Sequence, residues 1–228
     1  GPVGAYITSD VIGKNIFKSF SPSYTIKEWQ EEAELVEKKL KAIQISKEKI
    51  PVFLTVGALV ASKNQQHILD AFLQLHKDGF DFRLYIIGDG ILKSTYRSFI
   101  ESNSLYKKIF LTGMLGAEEM KGFYRKADFI VQASLVEGYG KVPIEGFFYG
   151  VIPILNNVNL ASYILGNGDR GFLYDAVNTN ELVKVIRPII EQQEELTKKI
   201  KNARFYSRNL VLEKWTIEYC KHIKQWFE

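Results

Sequence analysis

The chain has 228 residues, 46% of them hydrophobic and 25% charged, with a net charge of +4. That length and balance fit one large α/β domain, or a domain with an appendage, and exclude a mainly disordered chain. The small basic excess is scattered, which argues against a nucleic-acid binder; the densest run, Lys198 to Arg208, is expected to be a solvated helical face.

Gly1-Pro2 matches what a tag-removing protease leaves, so the chain is expected to be a piece of a longer protein. Residues 1–50 read as a lead-in followed by an amphipathic helix. Residues 19–25 are turn-rich, and Ala33, Leu35, Val36, Leu40 and Ile43 recur at helical spacing within 26–45. From Pro51 to Glu228 the pattern becomes repeated strand–helix units. Val52-Phe53-Leu54-Thr55-Val56 is a short apolar strand ending at Gly57, and Ile68, Leu69, Phe72 and Leu75 mark one face of the next helix. Leu84-Tyr85-Ile86-Ile87 forms a second strand, stopped by Gly88-Asp89-Gly90 and followed by a helix with Tyr96, Phe99 and Ile100. Ile109-Phe110-Leu111 forms a third, ending at Gly113, ahead of a helix with Met120, Phe123 and Tyr124. Strands at 129–131 and 151–155 continue the series, and Phe172-Leu173 reads as a last short one. Three helices, at 179–191, 192–207 and 212–227, close the chain, with Pro188 bending or ending the first. On the last, Trp215, Tyr219, Cys220, Ile223, Trp226 and Phe227 form an apolar stripe, read as packing on its own domain or, in part, on a missing second domain. Apolar strands alternating with helices predict an α/β fold: a Rossmann-like, doubly wound parallel sheet covered on both faces.

The stretch Glu137-Gly138-Tyr139-Gly140-Lys141-Val142-Pro143-Ile144-Glu145 carries the most chemistry. It places two carboxylates eight positions apart, with two glycines and a proline between them. A predicted strand precedes it and a short predicted helix follows, so both carboxylates fall at the C-terminal mouth of the sheet. Open α/β folds bind ligands there. Gly138 and Gly140 let backbone approach a ligand closely. Pro143 suits the first turn of a helix, whose free N–H groups favour an anion. A sugar joined to a phosphate fits such a place. Gly88-Asp89-Gly90 is not a dinucleotide fingerprint, because Lys93 occupies the third glycine's position and the turn follows the second strand. His67, His76 and His222 show no metal-ligand spacing and are expected at surface or boundary positions. A single cysteine, Cys220, fits a reducing compartment, and no apolar run approaches the ~18–20 residues that span a bilayer.

Taken in order, Val56-Gly57, Lys63, Ile87-Gly88-Asp89-Gly90, Phe110-Leu111-Thr112-Gly113, Ala127-Asp128, Ser134, the Glu137 to Glu145 motif and Gly150 carry a family pattern. From about Pro51 to Glu228 the chain resembles the C-terminal, donor-binding domain of family-four retaining glycosyltransferases (glycosyltransferase group 1). The resemblance implies one half of a GT-B fold with C-terminal helices. It also implies transfer of a sugar from a UDP- or GDP-sugar donor to an acceptor hydroxyl in glycan or polysaccharide biosynthesis, with no cofactor and no metal. Glu145 would accept hydrogen bonds from both ribose hydroxyls, and Glu137, the catalytic-site carboxylate, would contact sugar hydroxyls near the reacting carbon. Backbone N–H groups of Tyr139, Gly140, Lys141 and Val142 would hold the sugar and distal phosphate. Gly57 and Gly138 would line the donor, Lys63 would neutralise the diphosphate, and backbone at Met114 would hold the base. The acceptor, a glycan or lipid-linked sugar, would be held by an N-terminal domain absent from this sequence, so the fragment alone is expected to be inactive.

Two positions depart from the family pattern. Members commonly place an arginine directly after the first-strand glycine, where this chain has Ala58. Losing one charged hydrogen bond to phosphate costs ~1.5–3 kcal/mol if nothing replaces it. Lys141, where the family usually has an apolar residue, is expected to supply that charge. The second departure is 156–162, which stands where many relatives have a glycine-rich turn. Two alternatives stay open: a non-catalytic glycosyltransferase-like accessory subunit, favoured by Ala58, and a sugar-nucleotide epimerase of the same architecture. The expected location is cytoplasmic, with the mild basicity suiting peripheral contact with the inner face of a membrane.

Overall fold

The computed structural model describes residues 24–45, 49–137, 140–189 and 191–227. The lead-in before residue 24 lies outside the described residues, as do Gly138 and Tyr139. So do the side chains of Ile43, Tyr219, His222, Ile223, Trp226 and Phe227.

Six strands form one parallel sheet: β1 Val52–Val56, β2 Arg83–Ile87, β3 Ile109–Gly113, β4 Phe129–Gln132, β5 Ile152–Asn156 and β6 Phe172–Tyr174. Their order is β3-β2-β1-β4-β5-β6. The register runs Phe53 against Leu84 on one side of β1 and Phe53 against Phe129 on the other. Every strand predicted from sequence is present. The helices are α1 Ile26–Glu31, α2 Ala33–Ile45, α3 Gln65–Lys77, α4 Lys93–Ser102, α5 Ala117–Lys126, α6 Lys141–Phe148, α7 Ala161–Leu165, α8 Thr179–Ile189, α9 Gln193–Ser207 and α10 Leu212–Phe227. Pro188 is the last residue but one of α8. The short α7 was not predicted.

Successive residues of β1 face opposite sides of the sheet, as strand geometry requires. Phe53 packs with buried residues of α3, α4 and α8, while Leu54 packs with those of α5, α6 and α7. Both are fully buried, and burying each such side chain contributes about 1.5–3 kcal/mol. Helices thus cover both faces. Among the described residues, no helix is long and apolar enough to cross a membrane.

The amphipathic segment 26–45 is two helices rather than the one predicted. Thr25 and Glu28 form a capping box at the start of α1, an arrangement that satisfies two backbone donors. The chain turns at Glu32, whose buried carboxylate accepts from Arg125 Nη2 at 2.6 Å and Nε at 3.0 Å. That partner lies on α5, so no local pattern announces the break. Val36 and Leu40 of α2 enter the core beside Ile200 of α9.

Lys39 of α2 has a stem at half-exposed depth and an amine inside the domain. Its Nζ donates to the carbonyls of Tyr124 at 3.1 Å, Ala127 at 2.7 Å and Tyr149 at 2.9 Å. Ala127 and Tyr149 are the C-caps of α5 and α6. One lysine side chain therefore meets the orphan carbonyls of two helix ends, and below its pKa it also places a positive charge at their negative poles.

The basic run Lys198 to Arg208 divides in two, which corrects the expectation of a wholly solvated face. Lys199 and Arg204 are buried. Lys199 lies 4.4 Å from the Phe172 ring centre, and Arg204 lies 3.9 Å from that of Trp29 while donating to the carbonyls of Phe148 and Trp29. Lys198, Lys201 and Arg208 stay exposed.

The loops after β1 and β2 touch through glycines. A Cβ on Gly88, whose φ is +143°, would stand 2.0 Å from the Gly57 carbonyl oxygen. A side chain there would drive the two loops apart.

Two measurements follow from these contacts. Gly88→Ala is expected to lower stability by at least about 2 kcal/mol, read as a lower urea midpoint; an unchanged midpoint would show that the loops part freely. For Lys39, burial lowers the amine pKa to about 7, with Lys49 acting in the same direction and Asp128 and Glu32 opposing. The unfolded chain keeps that proton up to about pH 10.4. Between those values folding releases a proton, so stability rises with pH, by up to about 1.4 kcal/mol per unit. Lys39→Met abolishes this slope, and parallel urea-unfolding profiles for wild type and variant from pH 7 to 10 would contradict it.

Candidate functional site

The strand order reverses between β1 and β4. Connections leave these neighbours toward opposite faces of the sheet, which opens a crevice beyond their C-terminal ends. The loop after β1 and the loop after β4 form its walls, and Leu135 N–H ties them by donating to Ser62 O at 2.9 Å.

Lys63 ends a one-turn 3-10 helix, Ala61–Lys63, and is followed by Asn64 in the left-handed region with φ +51°. From the opposite wall comes Glu137. Lys63 Nζ lies 2.6 Å from Glu137 Oε2, and Ser134 Oγ donates to the same oxygen at 3.1 Å. The side chains of Lys63 and Glu137 are 28% and 26% exposed, so the pair is partly shielded from bulk water. The loop after β5 props this wall from behind. Asn156 Nδ2 donates to Ser134 O at 3.0 Å while its Oδ1 accepts from Ala176 N at 2.9 Å. Asn159 Nδ2 donates to Glu137 O.

Helix α6 starts at the crevice. Its N-cap is Gly140, held at φ +67°, a conformation in which glycine is unstrained. Glycine has no side chain to cap the first turn, so those N–H groups remain for a ligand. Pro143 falls in that first turn, as predicted, and is buried with Ile144, Phe147 and Phe148, which anchor the helix. Lys141, the first helical residue, is exposed.

Glu145 points from α6 toward α5, where its Oε2 accepts from the Tyr124 hydroxyl at 2.8 Å. Burial first, and then the Glu145 charge, push the Tyr124 phenol well above its ordinary pKa. Tyr124 therefore keeps its proton and acts as a fixed donor that orients the carboxylate.

A small hollow, open to solvent, lies beside Glu137, with Ser134, Gly140, Asn156, Leu155, Val158 and Ile164 in its wall. Ser134, Glu137 and Gly140 thus share one opening, Lys63 reaches its edge through the ion pair with Glu137, and Glu145 is engaged on the α5 side of α6. Gly57 borders Lys63, since a Cβ there would stand 3.9 Å from Lys63 Cδ. Met114 is 80% exposed on the loop after β3, Val142 is half-buried and Ala58 is exposed.

Sequence reasoning missed Tyr124, which it read as one apolar position of a helix, and Asn156 and Asn159, which it recorded only as a departure from a glycine-rich turn. No local signal marks any of the three, because each acts across chain-distant loops. His67 corrects another expectation. It is buried at 9% exposure and lies face to face with Tyr174, ring centres 5.8 Å apart. Among the described residues, no group of three or more His, Cys, Asp or Glu side chains could hold a metal ion.

The family model described as glycosyl transferases group 1 matches residues 36–205. An uncharacterized glycosyltransferase of Methanocaldococcus jannaschii is 33% identical over 162 residues, covering 71% of this chain and 44% of that protein. An N-acetylgalactosamine-N,N'-diacetylbacillosaminyl-diphospho-undecaprenol 4-alpha-N-acetylgalactosaminyltransferase of Campylobacter jejuni is 26% identical over 163 residues. That match covers 71% of this chain and 43% of the transferase. The chain therefore spans less than half the length of these curated relatives. Among solved structures, the C-terminal domain of the group 1 glycosyl transferase LpcC from Francisella tularensis aligns with TM-score 0.59 at 18% identity, over 81% of this chain and 91% of that domain. HepE of Anabaena, in complex with UDP, aligns with TM-score 0.72 at 15% identity, over 89% of this chain and 56% of its own. A second HepE structure holds UDP and glucose. The family match begins within α2, ends within α9 and takes in every strand between; the chain belongs to the glycosyl transferases group 1, with the fold of one Rossmann-like half of a GT-B architecture.

Proposed function

We propose that this chain is the donor-binding half of a retaining glycosyltransferase, which moves a sugar from UDP or GDP to an acceptor hydroxyl in glycan biosynthesis. The observation that carries the proposal is the meeting of Lys63, Glu137 and the glycine-capped start of α6 at the point where the strand order reverses. An anion and a polyhydroxylated group find complementary partners there within one ligand's length.

In this reading the diphosphate lies against the first N–H groups of α6 and the Lys63 ammonium. Charge accumulates on the diphosphate as the glycosidic bond breaks, and donors already aimed at it stabilise the transition state more than the ground state. Glu137 holds sugar hydroxyls, and the Glu145 carboxylate, steadied by Tyr124, accepts from the ribose. Lys141, exposed at the first position of α6, supplies a second cation where Ala58 offers none. Backbone near Met114 holds the base, and the reading requires no metal. The HepE complexes with UDP, and with UDP and glucose, support the choice of ligand class.

The acceptor would be held by a second domain. The Campylobacter relative is described as acting on an undecaprenol-linked diphospho-sugar, which supports a lipid-linked acceptor. Ala58 favours a second reading, a non-catalytic accessory module.

Calorimetry with UDP and GDP separates the two, because an accessory scaffold gives no saturable binding. The donor-site reading expects binding of one of them, weakened about 10- to 100-fold by Lys63→Ala, the loss of one charge-assisted hydrogen bond to phosphate. Lys141→Ala is expected to weaken the same binding about threefold or more, as a partly exposed cation does. Unchanged affinity in Lys141→Ala would remove it from the site.

A further inference from the structure

We infer that the Lys63–Glu137 ion pair is a lock which the donor opens, and that it makes Glu137 the residue discriminating a nucleotide-sugar from a bare nucleoside diphosphate. The inference rests on the donor-site reading above and adds a specificity device to it.

The two side chains assigned to the two halves of the donor neutralise each other at 2.6 Å. The contact is not a chance meeting of surface chains. Each partner is about three-quarters covered, Ser134 Oγ donates to the same Glu137 oxygen, and the backbones that carry the pair are tied by Leu135 N–H to Ser62 O. Asn159 fixes Glu137 from behind through its carbonyl. Glu137 is thus held in the paired position by groups outside the pair, and the loop that carries Lys63 is tied beside it.

Two kinds of ligand meet this lock differently. A bare nucleoside diphosphate must draw Lys63 away from Glu137 and then rest its own negative charge beside a carboxylate that has lost its cation. A nucleotide-sugar brings hydroxyl donors with its diphosphate. Those hydroxyls replace the ammonium at Glu137 while the diphosphate replaces the carboxylate at Lys63, so both partners are exchanged and neither is abandoned. Once the sugar has left for the acceptor, Glu137 recaptures Lys63 and the nucleoside diphosphate is displaced.

The test is calorimetric titration of this chain with UDP and GDP. Glu137→Gln, which keeps the shape and removes the charge, is expected to bind the preferred nucleoside diphosphate about fivefold more tightly than wild type. Glu137→Ala is expected to show the same direction, so the result does not hang on one replacement. In a Lys63→Gln background the gain from Glu137→Gln shrinks, because the ion pair that opposed binding is already absent and only repulsion between carboxylate and diphosphate remains. Equal or weaker binding by both Glu137 variants overturns the lock. A gain that persists undiminished with Lys63→Gln also overturns it, since plain repulsion between carboxylate and diphosphate would then suffice. Wild-type binding without the Glu137 gain defeats the lock alone, whereas no binding of UDP or GDP by any variant defeats the donor-site reading and the lock with it.

Discussion

Helix α6 has its two ends in opposite surroundings, and much of the molecule is arranged around that contrast. Its positive end opens on the crevice at Gly140, and among the described residues no side chain caps it. Its negative end is inside the domain, where free carbonyls would be costly. Lys39 reaches in from α2 to satisfy Tyr149 and the adjacent end of α5 with one amine. Between the ends, Ile144, Phe147 and Phe148 hold the helix against the sheet. The dipole can then face a ligand at one pole while a donor of the protein itself occupies the other.

The crevice depends equally on strand order. β1 and β4 are far apart in sequence and adjacent in the sheet. Their following loops therefore come from different parts of the chain and close on one another through Ser62 and Leu135. A cation on one wall and a carboxylate on the other would be unremarkable surface residues in any other topology. Here they meet, and a third wall, from the end of β5 onward, adds apolar Val158 and Ile164 and the amides of Asn156 and Asn159, which brace the backbone at Ser134 and Glu137.

Much of this was legible in the chain itself. Short apolar strands such as Val52–Val56 and Ile152–Asn156 announce themselves because both sheet faces are covered, so no polar alternation confuses them. The motif from Glu137 to Glu145 was legible because glycines, a proline and two acids within nine residues have few bland explanations. What escaped was tertiary. The break at Glu32 is dictated by Arg125, the inward turn of Lys199 and Arg204 by rings and carbonyls elsewhere, and the aim of Glu145 by a tyrosine on another helix. Charged residues in a helix look alike in sequence whether they face water or cap a neighbouring helix, and only the packed partners decide.

The reach of Lys39 has a practical corollary for anyone trimming this protein. A boundary drawn where the strand–helix repeats begin, near Pro51, looks natural by pattern but would discard the amine that closes two helices of the sheet's ligand side. Such a shortened polypeptide would keep every strand and the whole acidic motif, yet expose bare carbonyls at the far end of the helix that presents the pocket. Excision at that point would therefore damage the binding mouth from behind, without touching a single residue that lines it.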